Sequence, residues 1–257
     1  TMKKFNSFRN IHNHTGDLNS YIKDHKKYWA HIQNKNGHHN GDFETLDAHN
    51  SIVSKYWISL IEKYQLEGII DNHIEKIIEY FSKVNNPSHF GNCLKEMVWA
   101  TMFFHDFGKI NTNFQTKRMN NPEFSSSDKI SFGSEHSKLS AFVFFNYYLE
   151  SILHNDQLSR DEQYILSALA LVFGNTILKH HSGRINNDIL FDSETIKSAL
   201  LFKSNLLITI NENYSFNFLT KTDKVFQELQ KRYTEENNFG FSLFSLLKLS
   251  YSLLTAS

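Results

Sequence analysis

Long stretches of helical periodicity, with only two prolines in 257 residues, constrain the fold of this chain most strongly. From Leu46 onward, apolar residues recur at spacings of three and four, which is typical of an amphipathic helix. Segment 71–84 repeats the pattern, and Asp71 or Asn72 is a suitable N-cap for it. Because proline breaks helix interiors, its rarity favours long uninterrupted helices.

Segment 92–104 is apolar nearly all round, which predicts a central, buried helix. This helix runs directly into His105 and Asp106. Further helices are predicted at 136–154, 161–179, 193–203, 223–235 and 241–256, with a break at 237–240. Since strands and helices do not alternate along the sequence, we predict an all-α fold, a helical bundle.

The first 45 residues are polar and mixed in pattern. We interpret residues 1–45 as a partly helical lead-in, packed on a main domain that spans 46–257. The lead-in is predicted to contain a loop at 34–42, and residues 204–222 are interpreted as a loop or a small hairpin.

Composition excludes several classes of protein. Lys plus Arg and Asp plus Glu each number 27, so no strongly basic surface is expected to bind DNA without regard to sequence. The single cysteine, Cys93, excludes an intrachain disulfide and a thiolate zinc cluster, and fits a reducing, cytoplasmic setting. No apolar stretch of about 18 residues predicts a membrane span.

The sharpest chemical signal is His105-Asp106 at the end of the buried helix, followed by Gly108 and Lys109. A carboxylate has two oxygens, so Asp106 can bridge two cations that clamp a phosphodiester. Lys109 lies about one helical turn after His105 and can meet a phosphate from the same side. An equally weighted structural interpretation is that His105 caps the helix and Asp106 pairs with Lys109.

Four more histidines lie near the ends of predicted apolar helices: His49, His136, His180 and His181. Taken singly, each is explained as a helix cap or as part of a solvated surface pair. Together they suggest a different arrangement, because packed helices would bring their polar ends to one pocket. We therefore predict that these histidines surround Asp106.

Imidazole and carboxylate ligands without thiolate suit Mn, Fe, Ni, Co or Zn, whereas Mg fits a His-rich shell less well. Such ions lower the pKa of bound water, so hydrolysis is the expected chemistry, and Lys109 suggests a phosphate substrate. The other nine histidines are expected to lie outside the ligand set: His12, His14, His25, His31, His38, His39, His73, His89 and His154.

The order of these residues resembles the HD domain of the signature nuclease–helicase of type I CRISPR systems, within the HD phosphohydrolase superfamily. Residues 105–115, HDFGKINTNFQ, are similar to that family's motif HD-x-GK-x(4)-FQ. Residues 30–53 look like its opening segment, AH…ETL…H…V. The resemblance covers roughly residues 28–257.

The resemblance implies a metal-dependent nuclease that cuts single-stranded DNA in antiviral defence. By it, His49, His105 and Asp106 would hold a first ion, and Lys109 would contact the scissile phosphate or orient the attacking water. The second ion would be held by Asp106, His136, His180 and His181. A superfamily 2 helicase, fused or separate, would feed the strand, and an RNA-guided surveillance complex would recruit it.

One departure concerns the family's last motif, a small-residue helix ending in Asp. Residues 244–257 are similar to this helix, but the chain ends at Ser257, where the Asp would follow. We therefore expect a C-terminally truncated domain whose metal occupancy and nuclease activity are weakened. Loss even of a residue that only supports a ligand typically weakens metal affinity about 10–100-fold.

Two alternatives to the nuclease stay open. Another HD phosphohydrolase, acting on nucleotides or cyclic dinucleotides, would use the same ligands, although Phe114-Gln115 favours the nuclease. A non-catalytic interaction module would make the histidines structural. Lys117, Arg118 and Arg184 are weak candidates for DNA contacts, since ordinary surface charge explains each of them.

Overall fold

The computed structural model describes residues 5–35, 38–81, 84–125, 135–181, 200–210 and 237–256. Within these residues the protein is a bundle of α-helices with one small hairpin, which confirms the all-α prediction. The helices are α1 (Phe8–Thr15), α2 (Leu46–Lys63), α3 (Leu66–Tyr80), α4 (Pro87–Phe104), α5 (Thr112–Lys117), α6 (His136–Leu153), α7 (Arg160–Leu178) and α8 (Asn237–Ala256). The predicted helix at 223–235 lies outside the described residues, as do most of the predicted helix at 193–203 and most of the loop or small hairpin predicted at 204–222.

Local sequence signals fix where the helices begin. The Thr45 side chain caps α2 by accepting a hydrogen bond from the backbone N–H of Ala48. Helix α4 has Pro87 in its first turn, where a missing N–H does no harm. Helix α7 opens with a capping box, in which Ser159 and Glu162 satisfy each other's backbone N–H groups.

Helix α4 is the centre of the bundle, as its apolar sequence predicts. It packs against α1, α2, α3, α6, α7 and α8. Trp99 and Phe103 are almost fully buried and stack on each other. Because α4 is held on all sides, its C-terminal end is a fixed platform for the residues that follow it.

The start of helix α3 differs from the one predicted. Helix α3 begins at Leu66, after Gln65 in a left-handed conformation, and not at Asp71. Asp71 lies inside α3, where its carboxylate is 2.7 Å from the ammonium of Lys95, a fully buried residue of α4. A buried ammonium requires such a partner, so tertiary contact overrides the capping signal.

The predicted break at 237–240 is also absent. Helix α8 runs without interruption from Asn237. Gly240 disfavours a helix interior by only about 1 kcal/mol, which the packing of α8 on α3 and α4 offsets.

The loop predicted at 34–42 is wrong: this region forms an antiparallel hairpin of β1 (Trp29–Lys35) and β2 (His38–Thr45). Asn36-Gly37 separates the strands in the sequence, and Asn-Gly is the pair most typical of a two-residue hairpin turn. The register places His31 opposite Glu44. The hairpin therefore brings side chains of the N-terminal segment towards α2.

The N-terminal segment also contributes to the core. Phe8 meets Trp57 of α2 edge to face, and both rings are buried. Tyr28, directly before the hairpin, is fully buried as well. No helix in the described part of the chain is long and apolar enough to cross a membrane.

Candidate metal centre

The ends of four helices meet at one place in the bundle. His105 caps the C-terminal end of α4, and His49 lies in the first turn of α2. His136 is the first residue of α6, and His180 with His181 follows the end of α7. The structure thus brings all five predicted histidines into one cluster around Asp106.

Asp106 lies at the centre of this cluster and is 4% exposed. Its Oδ2 is 3.0 Å from Nε2 of His49 and 3.2 Å from Nε2 of His105. Its Oδ1 is 3.1 Å from Nε2 of His136. The two oxygens therefore face different histidines, as bridging between two neighbouring cations requires.

Two of the histidines are oriented by backbone carbonyl groups. His105 Nδ1 is 2.6 Å from the carbonyl oxygen of Met102, and His180 Nδ1 is 2.6 Å from that of Ile177. Because a carbonyl oxygen only accepts, each Nδ1 carries the proton and donates. Each ring then presents its Nε2 to the cluster, as metal-ligating histidines commonly do.

His49 is oriented by a carboxylate. Its Nδ1 is 3.1 Å from Oε2 of Glu44 on β2, while its Nε2 faces Asp106. A carboxylate behind an imidazole fixes the ring and increases the basicity of the opposite nitrogen. Glu44 was not singled out in the sequence, and its place in the ETL segment that precedes His49 is the signal that could have found it.

His136, His180 and His181 form a group that could hold a metal ion. Nε2 of His136 and Nε2 of His181 are 3.0 Å apart. Nε2 of His180 is buried without a hydrogen-bond partner. A buried nitrogen lone pair without a donor is energetically costly, so a cation among these three nitrogens fits the site.

A second group that could hold an ion consists of His31, His49 and Asp106. His31 was expected to lie outside the ligand set, and the structure instead places it at the site. Its ring meets that of His49, with centroids 4.6 Å apart, and its Nε2 is 3.4 Å from Nζ of Lys109. His31 was not expected at the site because the hairpin was not predicted, and strand β1 of the hairpin is what carries His31 to the cluster.

Lys109 is buried beside Asp106, with its Nζ 2.7 Å from Oδ2 of that residue. The predicted structural alternative, an Asp106–Lys109 ion pair, is therefore present together with the histidine cluster. Lys109 lies in a short 3₁₀ helix, Phe107–Ile110, which places it one turn from Asp106. The ammonium is thus held within the cluster as well.

Gly108 allows the segment after Asp106 to lie close against α6. A Cβ atom added there would lie only 1.9 Å from the backbone oxygen of His136. The N–H of Gly108 donates to Oγ of Ser140 at 2.8 Å, which ties the 3₁₀ helix to α6. The glycine therefore permits the close approach that sets His136 beside Asp106.

Burial and charge favour the protonation states that bind metal. Burial would raise the pKa of Asp106, but the positive charges of His105 and Lys109 hold it well below its ordinary value. Burial lowers the pKa of His180 to about 3 and that of His31 to about 4, and it also lowers that of His181. The centre thus offers the neutral imidazoles of His31, His180 and His181 and the ionised carboxylate of Asp106.

Gln115 connects this centre to the hairpin. Its Nε2 donates to the carbonyl oxygens of Lys109 (2.7 Å) and Trp29 (2.9 Å). Its Oε1 accepts from the N–H of Trp29 at 3.0 Å and from Nδ2 of Asn121 at 2.8 Å. This fully buried side chain makes four hydrogen bonds. The glutamine of the FQ motif therefore has a structural role, because it holds the hairpin against the segment that carries Lys109.

The other histidines set aside in the sequence are not in either group that could hold an ion, so far as their side chains are described. His12 lies against Trp99, and His25 is near Asp47. The side chains of His38 and His39, and the whole of Arg184, lie outside the described residues.

Comparison of the chain with known protein families, with curated proteins and with solved structures gives no significant match.

Proposed function

We propose that this protein is a metal-dependent phosphodiesterase of the HD type that cuts single-stranded DNA. One observation carries the proposal: Asp106 lies within 3.2 Å of the Nε2 atoms of three histidines, beside the unpartnered Nε2 of His180. A carboxylate bridging imidazole ligands is a suitable centre for hydrolysing phosphate esters. The DNA substrate comes from the resemblance of residues 105–115 to the CRISPR nuclease motif.

Divalent transition-metal ions bound at this centre would polarise phosphate oxygens and supply activated water near neutral pH. Asp106 then holds the two ligand groups at a fixed separation, since Oδ1 faces His136 and Oδ2 faces His49. The backbone carbonyls behind His105 and His180 keep the ligand nitrogens aimed inward. The rings are thereby fixed before any substrate arrives.

Lys109 supplies a positive charge that binds the negatively charged phosphate of the substrate. Its ammonium lies 2.7 Å from Asp106, so a phosphate at the metal centre comes within its reach. Its N–H groups bind and orient an equatorial phosphate oxygen. Burial strengthens this contact because water screens it less than at the surface.

The partners follow from the resemblance alone. We propose that a superfamily 2 helicase supplies the single strand, and that an RNA-guided surveillance complex recruits the helicase. Both are tested by binding experiments after the activity itself is established.

The test uses circular single-stranded DNA, so that cutting requires an endonuclease. Wild-type protein, Asp106→Ala and His154→Ala are incubated with Mn²⁺, Ni²⁺ or Mg²⁺, and with EDTA as a blank. We expect wild type and His154→Ala, which changes an exposed histidine outside the cluster, to linearise the circle. Asp106→Ala should be inactive.

The same proteins are tested on nucleotides and cyclic dinucleotides. Hydrolysis of these compounds without cutting of DNA would place the protein with the other HD phosphohydrolases. If both activities and metal binding were absent, the result would support the alternative that the protein is a non-catalytic interaction module.

A further inference from the structure

The group formed by His31, His49 and Asp106, here called the hairpin group, already contains a positive charge. The ammonium nitrogen of Lys109 is 2.7 Å from Oδ2 of Asp106 and 3.4 Å from Nε2 of His31. The ligand atoms of the group lie within 4.8 Å of one another. An ammonium that contacts two of the three ligands therefore lies at or beside the position that a metal ion would take.

The ammonium and His49 share one carboxylate oxygen. Nε2 of His49 is 3.0 Å from Oδ2 of Asp106, which is the atom that Lys109 contacts. A divalent ion bound to this oxygen and to His49 would lie about 2 Å from each of them. Since the ammonium is held at the same oxygen, the two positive charges would be neighbours in a buried place where water screens them little, and they would repel each other.

Lys109 is held in this position by its backbone as well as by its side chain. Its N–H donates to the backbone oxygen of Asp106 at 2.9 Å, and its carbonyl oxygen accepts from Nε2 of Gln115 at 2.7 Å. The ammonium lies 5.8 Å from the centre of the Phe114 ring, within the range of a cation–π contact. Lys109 is 4% exposed, so moving the ammonium away from Asp106 would leave a buried charge without its partner.

The second group, His136, His180 and His181, has the opposite character and is here called the three-histidine group. Nε2 of His180 is buried without a hydrogen-bond partner, and Nε2 of His136 lies 3.0 Å from Nε2 of His181. Oδ1 of Asp106 faces this group, 3.1 Å from Nε2 of His136. Three imidazole nitrogens and one carboxylate oxygen are a ligand set that suits a transition-metal ion. This group needs a cation from solution, whereas the hairpin group has one of its own.

We infer that the protein binds one divalent transition-metal ion, at the three-histidine group and Oδ1 of Asp106, and that the ammonium of Lys109 serves as the second cation of the centre. The inference rests on the proposed phosphodiesterase function and deepens it. A substrate phosphate is then held between one metal ion and one fixed ammonium. An ammonium has three N–H groups, so two can donate to Asp106 and His31 while the third meets a phosphate oxygen.

Counting the bound ions tests this assignment without any reaction. The protein is dialysed against Mn²⁺, and bound manganese per chain is measured by elemental analysis. Electron paramagnetic resonance then distinguishes an isolated Mn²⁺ ion from two ions coupled through a shared carboxylate. We expect the wild type to bind one isolated ion. Lys109→Ala should bind two coupled ions, because removal of the ammonium opens the hairpin group to a metal ion.

Three further variants locate the second ion. Lys109→Arg keeps a positive charge beside Asp106 and should bind one ion, like the wild type. The double variant Lys109→Ala/His31→Ala lacks a ligand of the hairpin group, so it should bind the second ion at least about tenfold more weakly than Lys109→Ala does. Lys76→Ala is the matched control, since it changes an exposed lysine on α3, and it should bind one ion.

Two bound ions of similar affinity in the wild type would overturn the assignment, as would a wild type that binds none. A single ion in folded Lys109→Ala would overturn it too, because the ammonium would then not be what excludes the second ion. Circular dichroism checks folding, and the wild-type count decides the matter if Lys109→Ala does not fold. Failure of the nuclease proposal appears separately, as absence of DNA cutting by wild-type protein that has bound its ion.

Discussion

Nε2 of His136 lies 3.0 Å from Nε2 of His181. Two neutral imidazole lone pairs at this distance repel each other unless a proton or a cation lies between them. Burial lowers the pKa of His181, so a cation becomes the better partner as the pH rises towards neutrality. Metal binding should therefore stabilise the folded protein.

We expect Mn²⁺, Co²⁺ or Ni²⁺ to raise the melting temperature measured by scanning calorimetry. An ion at 100 times its dissociation constant adds about 2.7 kcal/mol to the free energy of unfolding. His181→Ala should weaken the affinity by at least about tenfold, because it removes a ligand. His154→Ala should bind metal as the wild type does, and equal binding by all three proteins would contradict the assigned group.

The buried pair of Asp106 and Lys109 makes a second prediction, measured in EDTA. Asp106→Asn leaves the ammonium of Lys109 buried without its carboxylate, and should lower the free energy of unfolding by about 3–5 kcal/mol. Lys109→Met should be destabilising too, since it leaves the carboxylate with only histidines.

The double variant Asp106→Asn/Lys109→Met should lose clearly less stability than the sum of the two single losses. Such a result measures the coupling between the residues, and urea denaturation of the four proteins supplies it. Simple additivity would mean that the two charges are independent and that the cluster, not the pair, holds Asp106 ionised.

The helical fold was predictable because apolar periodicity is a local property. Segment 92–104 is apolar on all faces, and α4 is indeed the buried centre of the bundle. The start of α3 was not predictable, since it depends on Lys95 meeting Asp71 across two helices. The hairpin had a local signal in Asn36-Gly37, but its flanking residues are polar and hid the strands.

The site was predictable where its residues end apolar helices. His49, His105, His136, His180 and His181 lie at such ends, and they come together around Asp106. His31 and Glu44 were missed because they reach the cluster through strand pairing, which joins residues distant in sequence. The partnership of Gln115 with Trp29 spans 86 residues and had no local signal.

Gly108 provides a third prediction, about the close approach of the 3₁₀ helix to α6. Gly108→Ala places a Cβ atom against the backbone of His136, where nothing flexible can move aside. We expect a loss of about 1–3 kcal/mol in stability and a metal affinity lowered by at least about tenfold. Isothermal titration with Mn²⁺ and thermal melting measure the two effects.

Gly68→Ala is the matched control for this change. Gly68 lies within α3, and a Cβ atom there meets no atom within 4 Å. Alanine is favoured over glycine in a helix by about 1 kcal/mol, so this variant should be more stable and bind metal normally. If Gly108→Ala behaved in the same way, the contact with His136 would not constrain the site.

Acid stability supplies the last prediction, through Glu162 at the start of α7. Burial raises the pKa of this carboxyl, but hydrogen bonds from the N–H groups of Asn86, Ser159 and Asn85 outweigh burial and hold the pKa below 4.5. A lowered pKa means that the ionised form stabilises the fold. That contribution is complete above about pH 4.5 and is lost as the pH falls through the folded-state value.

Glu162→Gln should therefore lower the free energy of unfolding by about 1–3 kcal/mol near neutral pH, because neutral acceptors bind N–H groups less strongly. The difference from wild type should shrink as the pH falls below 4.5. Urea denaturation at a series of pH values measures it, with the exposed Glu79→Gln as a control of small effect. A difference that stayed constant down to acid pH would show that Glu162 contributes by its shape and packing, and that its charge is not what secures the start of α7.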